Sequence, residues 1–446
     1  MSRFGARPDF LTQQPTWAVD FAPGGRLLRI GERITRRRLA DTLSTIAHEG
    51  PDVFYTGPMA KAMIAALQAD GGIMTMEDLA SYSIEVRPAI HMQYRDRHHI
   101  YSCGAPCSGS VVLNALKTLE GYEDLFRSRG ENLIIDRDYH RLAEALKFAY
   151  GRRTKLADPA FVGNVTAFVD RFMLSPEVAH ETRQRISDSH TLSAEEYYNP
   201  DRLEVHSDRG TSHMAAADSS GLAISTTTSI NLPYGSHLMV PETGVIMNDN
   251  MDGFSIPGIS NSFGVAPFAG NYPAPGKRPL SSMSPTIVET QEDVQGTGSS
   301  LYLIGAAGGP RIISATVQNI INVLDRGMSV VEALSQPRMH HQLSPNRLEC
   351  EWALDNRTVD EAFKARGHDV SWIPFLSYAQ AIQRLPSVTN GSSMFEVASE
   401  PRQSNSMGIV VVSGNGQRGR FTKVVDWMLS HVQQSKFWSG GDGSEL

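Results

Sequence analysis

Residues 210–231 read GTSHMAAADSSGLAISTTTSIN, and this stretch decides how the rest of the chain is read. His213 to Asp218 and Leu222 to Ile230 are rich in Ala, Thr, Ser and Ile, with Ser219-Ser220-Gly221 between them, which predicts a β-hairpin. On its N-terminal side the chain reads as mainly helical. Leu39, Leu43 and Ile46 fall at helical spacing from Arg36 and stop at Gly50-Pro51. Pro58 opens a second helix along Met59, Met63 and Leu67, which Gly71-Gly72 ends. Thr75 stands three residues before Asp78, the spacing of a capped helix start. Leu142, Leu146 and Ala149 make a further stripe, and helical patterning runs on to about Ala194. On the C-terminal side short strands are expected at Gly244 to Met247, Thr286 to Glu289, Leu301 to Ile304 and Gly408 to Val412. A helix along Val317, Ile320, Ile321 and Leu324 follows the Gly305-Ala306-Ala307-Gly308-Gly309-Pro310 turn.

The 446 residues are 41% hydrophobic and 20% charged, an ordinary globular composition that could bury one large core or two modest ones. A net charge of −7 leaves no electrostatic footprint for nucleic acid. Arg36-Arg37-Arg38 reads as the solvated start of a helix. Cys103, Cys107 and Cys350 are too few for a disulfide framework. Cys103 and Cys107 read as plain thiols or one local disulfide, since no zinc-type partners follow. No apolar run is long enough to cross a membrane and no signal-type apolar segment opens the chain, so the compartment is left open. Sequons at Asn164, Asn356 and Asn390 are about what chance supplies.

Taken with Asp218, Gly221, Tyr234-Gly235-Ser236 and Thr243-Gly244, the hairpin stretch belongs to a longer series of blocks. It continues through Asn248-Asp249-Asn250-Met251-Asp252-Gly253-Phe254, Pro279 to Val288 and Gly305 to Ile313. In order and spacing these blocks resemble the small subunit of the γ-glutamyltranspeptidase family. Upstream, LADTLSTIAHEGPDVFYTGPMAKAM and LAEALKFAYGRRTKLADPAFVGN resemble its large subunit. Thr243 to Ser255 and Ser281 to Val288 are worded most like fungal members. The resemblance implies an α+β N-terminal-nucleophile hydrolase, an αββα sandwich of two stacked, mostly antiparallel sheets between helical layers. Residues 1–210 would be the large-subunit-like region and 211–446 the small-subunit-like region, both sharing one core. It also implies a precursor that cuts itself between Gly210 and Thr211.

The chemistry fits the residue types. A threonine hydroxyl needs a base beside it to attack a carbonyl. Cutting before Thr211 gives that residue a free α-amino group of pKa about 7.7–8.0, so nucleophile and base share one residue. Gly210, without a Cβ, leaves its carbonyl open. Gly308 and Gly309, between a strand and a helix N-terminus, are expected to supply oxyanion-binding N–H groups. A nucleotide site is the competing reading of these glycines, but neither GxGxxG nor GxxxxGK[ST] occurs. By resemblance, Ser229 holds the nucleophile where most members have threonine. Asn231 would bind the α-amino or carboxylate end of the substrate, and Ser281 and Ser282 its α-carboxylate. His213 reads as a packing residue.

Three departures bear on specificity. Gly253 stands where the family has an acidic residue for the substrate amine, and Asn250 where most members have Glu or Gln. Asp252 is adjacent and could substitute, so Asn250 and Asp252 stand with Asn231 as expected substrate-binding residues, although neighbours on an extended chain point to opposite sides. The chain also begins after an upstream region that carries the carboxylate-clamping arginine, which leaves shortening or lost glutamate specificity as expectations. The expected function is transfer of the γ-glutamyl group of glutathione or its conjugates to water, amino acids or peptides. A related acylase acting on an acyl group without an amine, and a non-catalytic relic, are the alternatives. No cofactor and no metal is implied; the partners expected are small substrates and the two processed fragments themselves.

Overall fold

The computed structural model describes residues 9–126, 132–197, 210–257, 268–290, 299–354, 357–385, 394–403 and 406–411. Strands β1 (Ile90–Tyr94) and β2 (His98–Ser102) precede the hairpin of β3 (Thr211–Ala217) and β4 (Ala223–Ser229). Then come β5 (Thr286–Thr290), β6 (Ser300–Ala307), β7 (Met339–His340), β8 (Leu348–Glu351), β9 (Val370–Ile373), β10 (Tyr378–Leu385) and β11 (Met394–Ala398). The main sheet runs β1-β2-β5-β6-β10-β11 and is antiparallel throughout. β7, β8 and β9 form a small side sheet in which β8 and β9 are parallel.

β6 explains the layering. Its sequence SLYLIGAA is nearly continuous in apolar residues, the mark of a strand covered on both faces. Tyr302, Ile304 and Ala306 join the main core beneath the helices Gly109–Leu119, Asn132–Arg153 and Arg311–Leu324. Alternation turns Leu303 and Gly305 to the other side, where the β3–β4 hairpin lies on β6 and β10. The His213 ring rests on Gly305, where an added Cβ would come within 2.3 Å of it. Ser225 Oγ donates to the Ile304 carbonyl at 3.3 Å. The fold is thus the expected α+β arrangement of stacked antiparallel sheets. Among the described residues the second sheet is this hairpin, and Met214 and Ile224 on its outer face are exposed.

The core draws on both sides of position 210. Leu142, Leu146 and Ala149 pack with Val288, Ile304 and Ile320. β2 pairs with β5 from His98↔Thr290 to Ser102↔Thr286. These strands, and every helix and strand above, belong to the unit Met1–Gly408.

The sequence expectations meet the structure unevenly. The hairpin is found with bounds moved by one or two residues, and the Thr75–Asp78 capping box is present. The helix Gly57–Ala69 carries Pro58 in its first turn as expected. β1–β2 and β10–β11 are strands that the reading did not include. Gly244 to Met247 makes one isolated bridge, Met239↔Ile246, because the chain around it is bent by positive φ at Gly235 and Gly244. Residues 408–411 carry no strand pairing, and Val412 lies outside the described residues. The basic run does start a helix and Arg37 is exposed, but its two neighbours are not simply solvated. Arg36 and Arg38 donate to the carbonyls of Gly244 and Pro241, and Arg38 also to Asp20 at 3.0 Å. They tie the helix Arg37–Glu49 to the loop after the hairpin, while Leu43 of its apolar stripe stays exposed.

Candidate active site

The site starts from the hairpin register. Thr211 pairs with Ser229 across β3–β4, which brings their side chains onto one face. Thr211 Oγ1 and Ser229 Oγ lie 2.8 Å apart. The backbone continues through Gly210, whose carbonyl accepts the Ile230 N–H at 3.0 Å and faces the Ser229 hydroxyl at 3.5 Å. Asn231 N–H donates to Ser229 Oγ at 2.9 Å. The peptide carbonyl before Thr211 therefore already has a backbone donor on it, and the Ser229 hydroxyl that faces it is in turn paired with that of Thr211. Sequence reading missed this role of Ile230, because any residue supplies the same N–H.

Gly210 has a stronger reason than an open carbonyl. A Cβ there would meet the Leu232 carbonyl oxygen at 2.3 Å and the Asn231 oxygen at 2.8 Å, so only glycine lets the strand end cross this closely. Asn231 has φ 68° at the turn out of β4, a conformation that Asn tolerates better than most residues. Its amide nitrogen reaches Asp249 Oδ2 at 3.2 Å and Asp252 Oδ2 at 3.1 Å. Asp252, itself exposed, thus reaches the site through Asn231, and the extended-chain argument against it does not hold. Residues Asn250–Gly253 form one turn of 3-10 helix, in which neighbours do not point to opposite sides. Asn250 donates its amide to the Ser229 carbonyl at 3.2 Å and so braces the strand end.

A cavity of about 760 Å³ opens beside these groups. Ser229, Asn231, Asn250, Gly253, Ser281 and Ser282 line it. Thr211 meets it through Ser229, and Asp252 through Asn231. Gly308 and Gly309 are not on its lining; they form the β6–helix junction, with φ of 132° and 64°. The Gly308 conformation is one that side chains rarely adopt, and a Cβ there would lie 3.2 Å from the Leu376 carbonyl oxygen.

The far wall of the cavity is Ser281 to Met283. Ser281 N–H donates to the Pro106 carbonyl at 2.8 Å and Ser108 N–H to that of Met283 at 2.9 Å. The 103–108 loop that grips this wall is closed by a Cys103–Cys107 disulfide. Beside this wall, on the cavity lining, lies Arg153, at the end of its long helix and 7% exposed. Its Nε donates to Ser108 Oγ at 3.1 Å and its Nη2 to Ser282 Oγ at 3.2 Å. Burial pulls the pKa of this guanidinium down. Sequence reading did not single it out, although it ends the helical block AEALKFAYGRR.

His213 is held neutral. Burial lowers its pKa to about 4, Nδ1 lies 2.9 Å from Thr227 Oγ1, and Nε2 is buried without a partner. It packs the hairpin onto the sheet. The one grouping of metal-ligand types among the described residues is His140, Glu144 and His368, buried away from this cavity. There Lys147 already places its ammonium 3.0 Å from Glu144, and His140 and His368 hydrogen-bond each other at 2.7 Å. A cation entering would have to displace a positive charge, so the cluster reads as a closed polar network.

These features define a class before they define a family. A threonine opening a hairpin strand of stacked antiparallel sheets is the arrangement of N-terminal-nucleophile hydrolases. The cephalosporin acylase of Bacillus halodurans superposes with a TM-score of 0.71 at 26% identity, over 90% of this chain and 67% of that one. The chain belongs to the gamma-glutamyltranspeptidase family, whose profile matches residues 2–410. It is 48% identical over 403 residues to the glutathione hydrolase proenzyme of Arthroderma benhamiae, covering 90% of this chain and 66% of that protein. The glutathione hydrolase of Aspergillus flavus is 44% identical over 414 residues, with 93% and 66% covered. The chain thus spans about two thirds of the length of these relatives.

Proposed function

We propose that this protein is a γ-glutamyl acyltransferase or glutathione hydrolase that matures by cutting Gly210–Thr211 and then acylates Thr211. The observation that carries the reading is the Thr211–Ser229–Gly210 arrangement. Asn231 N–H occupies one lone pair of Ser229 Oγ. The Thr211 hydroxyl can then donate to the other, while the Ser229 proton points at the Gly210 carbonyl. Attack of Thr211 Oγ1 on the Gly210 carbonyl carbon forms an ester and releases the Thr211 nitrogen as an amine. Ile230 N–H stabilises the oxyanion during that step. Water hydrolyses the ester to give Gly210 a carboxylate and Thr211 a free α-amino group.

In the mature enzyme the α-amine takes the Thr211 hydroxyl proton as the hydroxyl attacks the γ-carbonyl of the donor. It returns that proton to the leaving amine, and the γ-glutamyl ester passes to water or to an acceptor amine. Gly308 and Gly309 N–H groups are assigned to the oxyanion, Ser281 and Ser282 to the donor carboxylate, and Asn231, Asn250 and Asp252 to its amine end. Glutathione, its conjugates and amino-acid or peptide acceptors are the substrates we assign. The regions 1–210 and 211–446 would stay associated through the β2–β5 ladder and the shared core.

The test is a denaturing gel with N-terminal sequencing of the fragments. Two pieces are expected, the second beginning at Thr211; a single stable uncut chain would favour a non-catalytic relic and end this reading. A second enzymatic reading has its own support. Position 253 on the cavity lining is glycine where the family has an acidic residue, as suits an acyl group without an amine. Steady-state rates with γ-glutamyl- and glutaryl-p-nitroanilide separate the two, and a preference for the glutaryl compound would replace the first.

A further inference from the structure

Among the described residues three cations line the cavity, and they are not equivalent. Arg87 donates to Asp158 at 2.9 Å. Arg278 faces Glu85 at 4.0 Å and donates to the Ser83 carbonyl at 2.7 Å. Arg153 is the most buried of the three, and no carboxylate among the described residues pairs with it. Its two bonds go to neutral hydroxyls, those of Ser108 and Ser282. A buried guanidinium without a counter-ion is costly, and the cost is met when an anion arrives beside it.

The wall geometry says where that anion would sit. Ser108 Oγ accepts from Arg153 Nε and passes its own proton to the Ser281 carbonyl at 2.6 Å. That hydroxyl is spent on the wall. Ser282 Oγ also accepts from Arg153, and its proton remains to be donated into the cavity that Ser282 lines. We infer that Arg153 is a positioning residue for the acyl donor. Acting through the Ser282 hydroxyl, it supplies the positive charge that holds a donor carboxylate against the Ser281–Ser282 wall. The inference rests on the acyl-donor reading above, but it does not depend on whether the donor carries an amine. A γ-glutamyl and a glutaryl group both end in the carboxylate.

Three p-nitroanilides test it. γ-Glutamyl carries amine and carboxylate, glutaryl the carboxylate alone, and 4-aminobutanoyl the amine alone. Arg153→Met should raise KM by about tenfold to a hundredfold for the first two and leave the third within about twofold. Arg153→Lys should recover part of that loss for both carboxylate donors. An equal loss with all three donors would show that Arg153 only props up the wall and would overturn the inference. So would an unchanged KM. If Arg153→Met does not fold, Arg153→Lys is judged by the same split. Glutarate binding by calorimetry, wild type against either variant, gives the comparison without turnover, and equal affinities would also overturn it. The wild-type preference between γ-glutamyl and glutaryl donors tests the proposed function separately, because Arg153 acts alike on both.

Discussion

The end of the hairpin and the turn Asn250–Gly253 touch each other, yet they are constrained by different means. At the hairpin end the arrangement is made by backbone. The Thr211↔Ser229 register, the Ile230 N–H on the Gly210 carbonyl and the Asn231 N–H on Ser229 all follow from strand pairing. At the turn the contacts are made by side chains, Asp252 with Asn231 and Asn250 with the Ser229 carbonyl. A backbone-built arrangement survives substitution so long as the strands pair, and exchanging threonine for serine at position 229 keeps its hydroxyl. A side-chain-built one changes with each replacement. Reaction type and donor selectivity can therefore drift separately in this fold.

The largest effect should come from Thr211→Ala, which should leave the chain uncut and lower turnover by at least about 10⁴-fold. A Thr211→Ala chain that is still processed would break the assignment of the hairpin end. Ser229→Ala should slow cutting by about 10²–10³-fold, while Ser229→Thr stays near wild type; time courses of fragment appearance measure both. Equal rates for Ser229→Ala and wild type would mean that the hydroxyl pair is incidental.

The turn is probed by smaller shifts in selectivity. Gly253→Asp should raise the preference for γ-glutamyl- over glutaryl-p-nitroanilide by about tenfold, by restoring a carboxylate beside the donor amine. A Cβ at that position would stand 3.1 Å from Pro279 Cβ, so the proline ring must yield by a few tenths of an ångström. Asp252→Asn should shift the preference the other way by a similar factor. If it leaves the ratio unchanged, Asp252 serves Asn231 alone.

The smallest effect concerns acid. Burial lowers His213, His98 and His340 to about 4, below the usual histidine value near 6.5. Between those values the unfolded chain binds more protons than the folded one, so stability should fall as pH drops from about 6.5 toward 4. Tm against pH checks the sign. His213→Gln should make the slope shallower, because that ring lies between the hairpin and Gly305.

Much of the hairpin end was legible in sequence because its residue types are few and their spacing rigid. Gly210, Thr211 and Ser229 were singled out by resemblance to the family's blocks, and the strand register then sets the two hydroxyls 2.8 Å apart. The extended-chain argument against Asp252 failed because a single 3-10 turn has no sequence period of its own. The β1–β2 hairpin was missed because its loop bends through Arg95 and Asp96 at φ of 52° and 59°, without the glycine or asparagine that announces such turns. Arg153 was passed over because a basic residue at a helix end is ordinary. Its meaning depends on which hydroxyls lie opposite it, and those come from segments far away in the chain.

The β2–β5 ladder has a consequence for the life of the protein. It joins strands from opposite sides of Gly210–Thr211, so an intact chain forms it in a single-molecule event. Were the chain cut there as proposed, the same ladder could be rebuilt only when two separate polypeptides met. Refolding would then slow on dilution, and the working lifetime would be set by how slowly the cut pair first comes apart. A chain matured in this way would be folded once and spent thereafter, its durability a matter of rate and not of equilibrium.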